Sequence, residues 1–136
     1  MQKNFSLTQK MQIPQQASYS NATFDNNEIE KLSKSYEIHN GELVKNFLKK
    51  NKGLLEYINA ITPLINNYFP KYKKCLTFCE DPEFHELDDI TIYINSFKSS
   101  FEEDWKKLDE LERELFYIAG FSTIIKGLVC LDLWFK

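Results

Sequence analysis

The sequence predicts an α+β fold: N-terminal helices and one long helix packed on a small, largely antiparallel three-stranded sheet, in the order α-α-β-β-α-β. Three observations predict it. Apolar residues recur at helical spacing between Leu43 and Phe69. The period then drops to two over residues 74–79 and again over 90–95. A five-residue apolar stripe, Phe101, Trp105, Leu108, Leu111 and Leu115, follows on one side of an otherwise charged segment.

The 136 residues make one domain. A chain of this size buries roughly two thirds of its unfolded surface and needs no disulfide or metal to fold. Residues 1–27 hold all five Gln among Ser, Thr and Asn, with apolar residues at no regular spacing. They read as a disordered polar tail before a domain at 28–136.

Asn27 caps a Glu-rich first turn, and Leu43, Val44, Phe47 and Leu48 carry a helical stripe. Asn51-Lys52-Gly53 is a break before Leu54, Leu55, Ile58 and Ile61. Thr62-Pro63 reads as an N-cap and first residue of a new short helix, because proline deep in a helix removes a hydrogen bond. Pro70 stops it. Residues 74–79 and 90–95 alternate as strands, joined by an acidic connection over 80–89, and a short connection makes the pair antiparallel. Ser100-x-x-Glu103 has the capping-box pattern and opens the long helix. Gly120 is a break, and residues 128–135 form the last strand.

Charge is uneven. Residues 28–75 carry nine Lys against five Glu, whereas residues 76–116 carry thirteen acids against four bases. Two readings stay open: a dipolar surface that steers a charged partner, or two solvated faces. Arg113 is the one arginine. Arginine is the usual reader of base edges and clamp of phosphates, so sequence-specific nucleic-acid binding is not expected. No run is apolar enough for a membrane span, and no apolar stretch follows Lys3 or Lys10 as a signal peptide would. Three cysteines, Cys75, Cys79 and Cys130, fit free thiols in a reducing cytoplasm.

Chemistry-bearing motifs are sparse. The acids of residues 80–89 suit a hard cation in type, but match no EF-hand spacing and lack its glycine. A two-metal hydrolase using Asp81, Glu83 and neighbouring acids is one reading. A nuclease would add a strand lysine, and the polar positions of the second strand are Thr91, Tyr93 and Asn95. Cys75, Cys79 and His85, with Cys130 and His39, are the soft-metal candidates. An in-strand Cys-x₃-Cys holds its sulfurs too far apart for zinc, so the cysteines read as buried core thiols. No G-x-S-x-G and no glycine-rich phosphate loop occurs. No cofactor is expected.

The last strand is apolar on both faces, with Leu128, Cys130 and Trp134 on one and Val129, Leu131 and Leu133 on the other. Either the N-terminal helices or another chain must cover the second face.

Several segments together resemble a family of small uncharacterised prokaryotic proteins, largely cyanobacterial. They are Leu54-Leu55 through Ile65-x-x-Tyr68-Phe69-Pro70, the loop Asp81-Pro82-Glu83, the alternating Ile90-Thr91-Ile92-Tyr93-Ile94, Glu102-Glu103-x-x-x-Lys107-Leu108-Asp109, and Gly127-Leu128-Val129-Cys130-Leu131-Asp132-Leu133. The resemblance spans residues 43–135. It departs at Leu115-Phe116, where members tend to carry Trp, and at the Gln-rich tail. It implies no assigned activity, only a frequent small gene neighbour and hence an antitoxin-like role. The residues themselves point to a non-catalytic cytoplasmic module that binds another protein or itself, with Leu128, Cys130 and Trp134 at the interface and Asp81, Pro82 and Glu83 as a motif loop.

Overall fold

The structure, a computed structural model, describes residues 27–135. The expected disordered tail lies outside the described residues, Asn27 apart. The chain divides into two units, Met1–Lys31 and Leu32–Lys136. The sheet and the helices packed on it belong to the second.

In chain order the elements are α1 (Ile29–Leu32), β1 (Glu37–His39), α2 (Gly41–Lys50), α3 (Leu54–Tyr68), β2 (Lys74–Cys79), β3 (Asp89–Asn95), α4 (Phe101–Phe116), α5 (Thr123–Lys126) and β4 (Val129–Trp134). Short 3₁₀ turns lie at His85–Leu87 and Lys98–Ser100.

The predicted three-stranded, largely antiparallel sheet and its α-α-β-β-α-β order are corrected. The sheet has four strands in the order β1-β2-β3-β4. Only β2–β3 is antiparallel; β1–β2 and β3–β4 are parallel. The physical reason is connectivity. β1 reaches β2 through α2 and α3, and β3 reaches β4 through α4 and α5. A helical crossover brings the chain back to the end where it started, so the strands it joins run parallel. β1 escapes a pattern reading because it has three residues and one apolar side chain, Ile38.

The register sorts side chains onto two faces. Ile38, Leu76, Ile92 and Leu131 align across the sheet, as do Phe78, Ile90 and Val129, and Ile94 beside Leu133. This face carries the buried core, together with Val44, Phe47 and Leu48 of α2, Leu54, Ile58, Ile61 and Ile65 of α3, and Leu108, Leu111 and Leu115 of α4. Phe47 and Phe78, with ring centroids 5.0 Å apart, join α2 to β2. Lys74 also lies on this face, only 6% exposed. Its Nζ donates to the carbonyls of Phe69 at 2.7 Å and Tyr72 at 2.9 Å. The ammonium thereby satisfies acceptors just past the end of α3, where a cation is favoured. Burial holds its pKa below the ordinary lysine value.

Two helix expectations are also corrected. α3 runs unbroken through Pro63. The stripe Leu54, Ile58, Ile61, Ile65 is fully buried along its whole length, and that burial outweighs the missing hydrogen bond. Thr62 bonds back to the Ile58 carbonyl at 2.7 Å and accepts the Tyr36 hydroxyl at 2.7 Å. Burial of Tyr36 pushes its pKa up to about 12. In α4, Ser100 makes no side-chain cap bond to the backbone; its hydroxyl donates to Asp104 at 3.0 Å. Asp104, 1% exposed, faces inward, and Trp105 is turned out at 49%. The Asp104 carboxylate also accepts from Ser96 at 2.6 Å and Tyr72 at 2.7 Å. Burial works to raise its pKa, but these three hydroxyls and Lys107 outweigh it and hold it below the usual value.

Candidate functional site

Alternate residues of the same strands make the second face. Glu37, Cys75, Tyr93 and Asp132 align across it, followed by His39, Thr77, Thr91 and Cys130, then Cys79 beside Asp89 and Asn95 beside Trp134. All these side chains are exposed or half-buried except Thr91. The cysteines are therefore not core thiols. Cys75 and Cys79 are half-buried, Cys130 is exposed, and all three are free. Their alternation with Leu76, Phe78 and Leu131 sets them opposite the core, since successive strand residues point to opposite faces.

A groove of about 540 Å³ runs over this face, lined by Glu37, His39, Lys73, Cys75, Tyr93 and Trp134, among others. Within it lies a connected polar chain. The Cys75 thiol stands 3.3 Å from His39 Nδ1. His39 Nε2 stands 3.2 Å from Glu37 Oε2, and Lys73 Nζ lies 3.4 Å from Glu37 Oε1. Glu37 and His39, two apart on β1, share a face, and Cys75 is the register partner of Glu37. Asn40, in the left-handed region at φ 57°, turns the chain out of β1 into α2. Asparagine tolerates that region better than most residues. Its side chain donates to Thr77 Oγ1 at 3.4 Å.

The electrostatics differ along the face. The Glu37 carboxyl is held low by its hydrogen bonds to His39 and then Lys73. Partial burial pushes the Cys75 thiol up, and the negative charge of Glu37 adds to this. Desolvation raises Cys130 as well, with Asp89, Asp132 and Glu112 adding to the rise. Both thiols are thus held in the protonated form and need a base to react. Cys75 has one beside it.

Cys130 and Trp134 share one parity of β4, and this is the open face, whereas Leu128 lies in the turn just before the strand. Trp134 is 42% exposed. Val129, Leu131 and Leu133 face the helices. The Asp81-Pro82-Glu83 loop lies elsewhere, between β2 and β3. There the Asp81 carboxylate accepts the backbone N–H of Glu83 at 2.9 Å and of Phe84 at 2.8 Å. Asp88 accepts the Asp81 N–H at 2.7 Å. Two of the acids thus bond the loop's own backbone. Among the described residues no group of three His, Cys, Asp or Glu side chains is placed to hold a metal ion, and no helix is long and apolar enough to cross a membrane.

The Glu37–His39–Cys75 chain was missed in the sequence because His39 and Cys75 lie 36 residues apart, on strands whose pairing was not foreseen. The signal that could have found it is the polar-apolar-polar alternation of Glu37-Ile38-His39.

The fold and face define an α+β protein with a mixed sheet that, among the described residues, is covered on one side. Comparison with family models, with curated proteins and with solved structures gives no match.

Proposed function

We propose that this chain is a protein-binding module whose docking surface is the open face of the sheet, with another protein as the partner. The observation that carries the reading is the one-sided cover. The helices close the face of Leu76, Ile92 and Leu131, and the alternate face keeps Trp134 and Tyr93 beside Cys75 and Thr77 in a grooved surface. A half-exposed Trp next to a Tyr is the kind of anchor on which binding energy concentrates. The groove itself carries both signs, Glu37 beside Lys73, which favours a partner of mixed charge over a polyanion.

The test uses the tagged full-length chain. A stoichiometric partner captured from native cells, and lost at least tenfold with Trp134→Glu but kept with Glu110→Lys on the exposed side of α4, supports the reading. A homodimer by light scattering that Trp134→Glu dissociates assigns the same surface to a second copy. A monomer with no partner, or a partner held equally by Trp134→Glu, overturns it.

A further inference from the structure

The polar chain in the groove does more than a docking surface requires. We infer that Cys75 is the nucleophile of an acyl-transfer site, with His39 as its base and Glu37 as the residue that positions the imidazole. The substrate class is an activated acyl compound, an aryl ester or thioester. The site stands whether or not a protein docks on the same face.

The geometry has the three parts that nucleophilic catalysis needs: a nucleophile and a base within hydrogen-bond reach, and a third group orienting the base. The 3.3 Å separation from Cys75 Sγ to His39 Nδ1 suits an S–H donating to nitrogen. That role demands that the ring proton sit on Nε2, where it donates to Glu37 Oε2 at 3.2 Å. Glu37 is in turn held by Lys73. Tyr93 and Trp134 give the groove apolar walls suited to an aryl or acyl group. Cys130 is the internal contrast. It is the more exposed thiol and lies on the same face, opposite Thr91 and not beside a histidine.

The step balances without another reagent than water. Cys75 Sγ attacks the acyl carbon as its proton passes to His39 Nδ1, and the carbonyl pair moves onto oxygen. Collapse of that oxyanion breaks the bond to the leaving oxygen or sulfur, which takes the proton from His39. Water, deprotonated by the same nitrogen, then attacks the thioester. The acid is released, and the Cys75 thiolate is reprotonated by His39.

The probe is p-nitrophenyl acetate with the full chain, read by peptide mass spectrometry at each cysteine. Cys75 is expected to acylate at least about 100-fold faster than Cys130, the low side of general-base assistance. His39→Gln is expected to erase that preference. Both His39 and Glu37 are more than half exposed, so the core is untouched by the changes, and the wild-type comparison needs no variant. The ¹⁵N spectrum of His39 is expected to show the Nε2–H tautomer, and Glu37→Gln to change it. Equal labelling of Cys75 and Cys130, or a Cys75 rate unaltered by His39→Gln, overturns the site. An unchanged tautomer in Glu37→Gln overturns the positioning role.

Discussion

On the covered face of the sheet, Leu76, Ile90, Ile92, Ile94, Leu131 and Leu133 are buried beneath α2, α3 and α4. On the open face, one residue along each strand, stand Glu37, His39, Tyr93, Trp134 and all three cysteines. The backbone, the strands and the hydrogen-bond ladder are common to both. Cover alone separates them. A half-covered sheet thus divides stability from surface chemistry at a period of two, so neighbouring residues should respond to substitution in opposite ways.

The sharpest contrast is within β3. Ile92→Ala removes a fully buried side chain and should destabilise by about 3–4 kcal/mol, the usual cost of a large-to-small core change. Urea unfolding measures it. A cost below about 1 kcal/mol would break the comparison.

Next in size is Asp104→Asn. Asp104 ties Ser96, Ser100 and Tyr72 to the start of α4, and loss of charge-assisted bonds to a buried group should cost about 2–3 kcal/mol at neutral pH. The pH dependence follows from its lowered pKa in the fold. Its contribution is present above the unfolded aspartate value near 3.9 and is lost as pH falls through the folded value below that. The stability gap between wild type and Asp104→Asn should therefore hold from neutral pH to about pH 4–5 and narrow below it. A gap that stays constant down to pH 2 would contradict the assignment.

The smallest effect is expected on the open face. Cys130→Ser should change stability by no more than about 0.5 kcal/mol, as surface substitutions do. A loss above 2 kcal/mol would mean that the face is closed.

Much of this was legible in the sequence. Alternation marked β2 and β3, and the 3-and-4 spacing marked α4, because burial on one side writes a period into the chain; β4 showed instead as a short run apolar on both faces. Of the three residues singled out there, Cys130 and Trp134 stand on the open face and Leu128 lies in the turn before the strand. β1 was not legible, since one apolar residue makes no period, and with it went the parallel pairing and the His39–Cys75 contact. Pro63 misled because local chemistry breaks a helix there, whereas burial of Ile61 and Ile65 holds it together. The spacing puts Trp105 in the apolar stripe and leaves Asp104 among the charges outside it; three hydroxyls, two of them from nearby serines, draw Asp104 inward. The general tendency of cysteine to be buried points the thiols to the core, whereas their phase against Leu76, Phe78 and Leu131 sets them on the other face.

The central claim is that this second face is open, and native thiol titration tests it most directly. With Ellman's reagent at mildly alkaline pH and no denaturant, the account predicts release of three equivalents per chain, from Cys75, Cys79 and Cys130. Release that begins only on unfolding would show the thiols to be core residues and would contradict it.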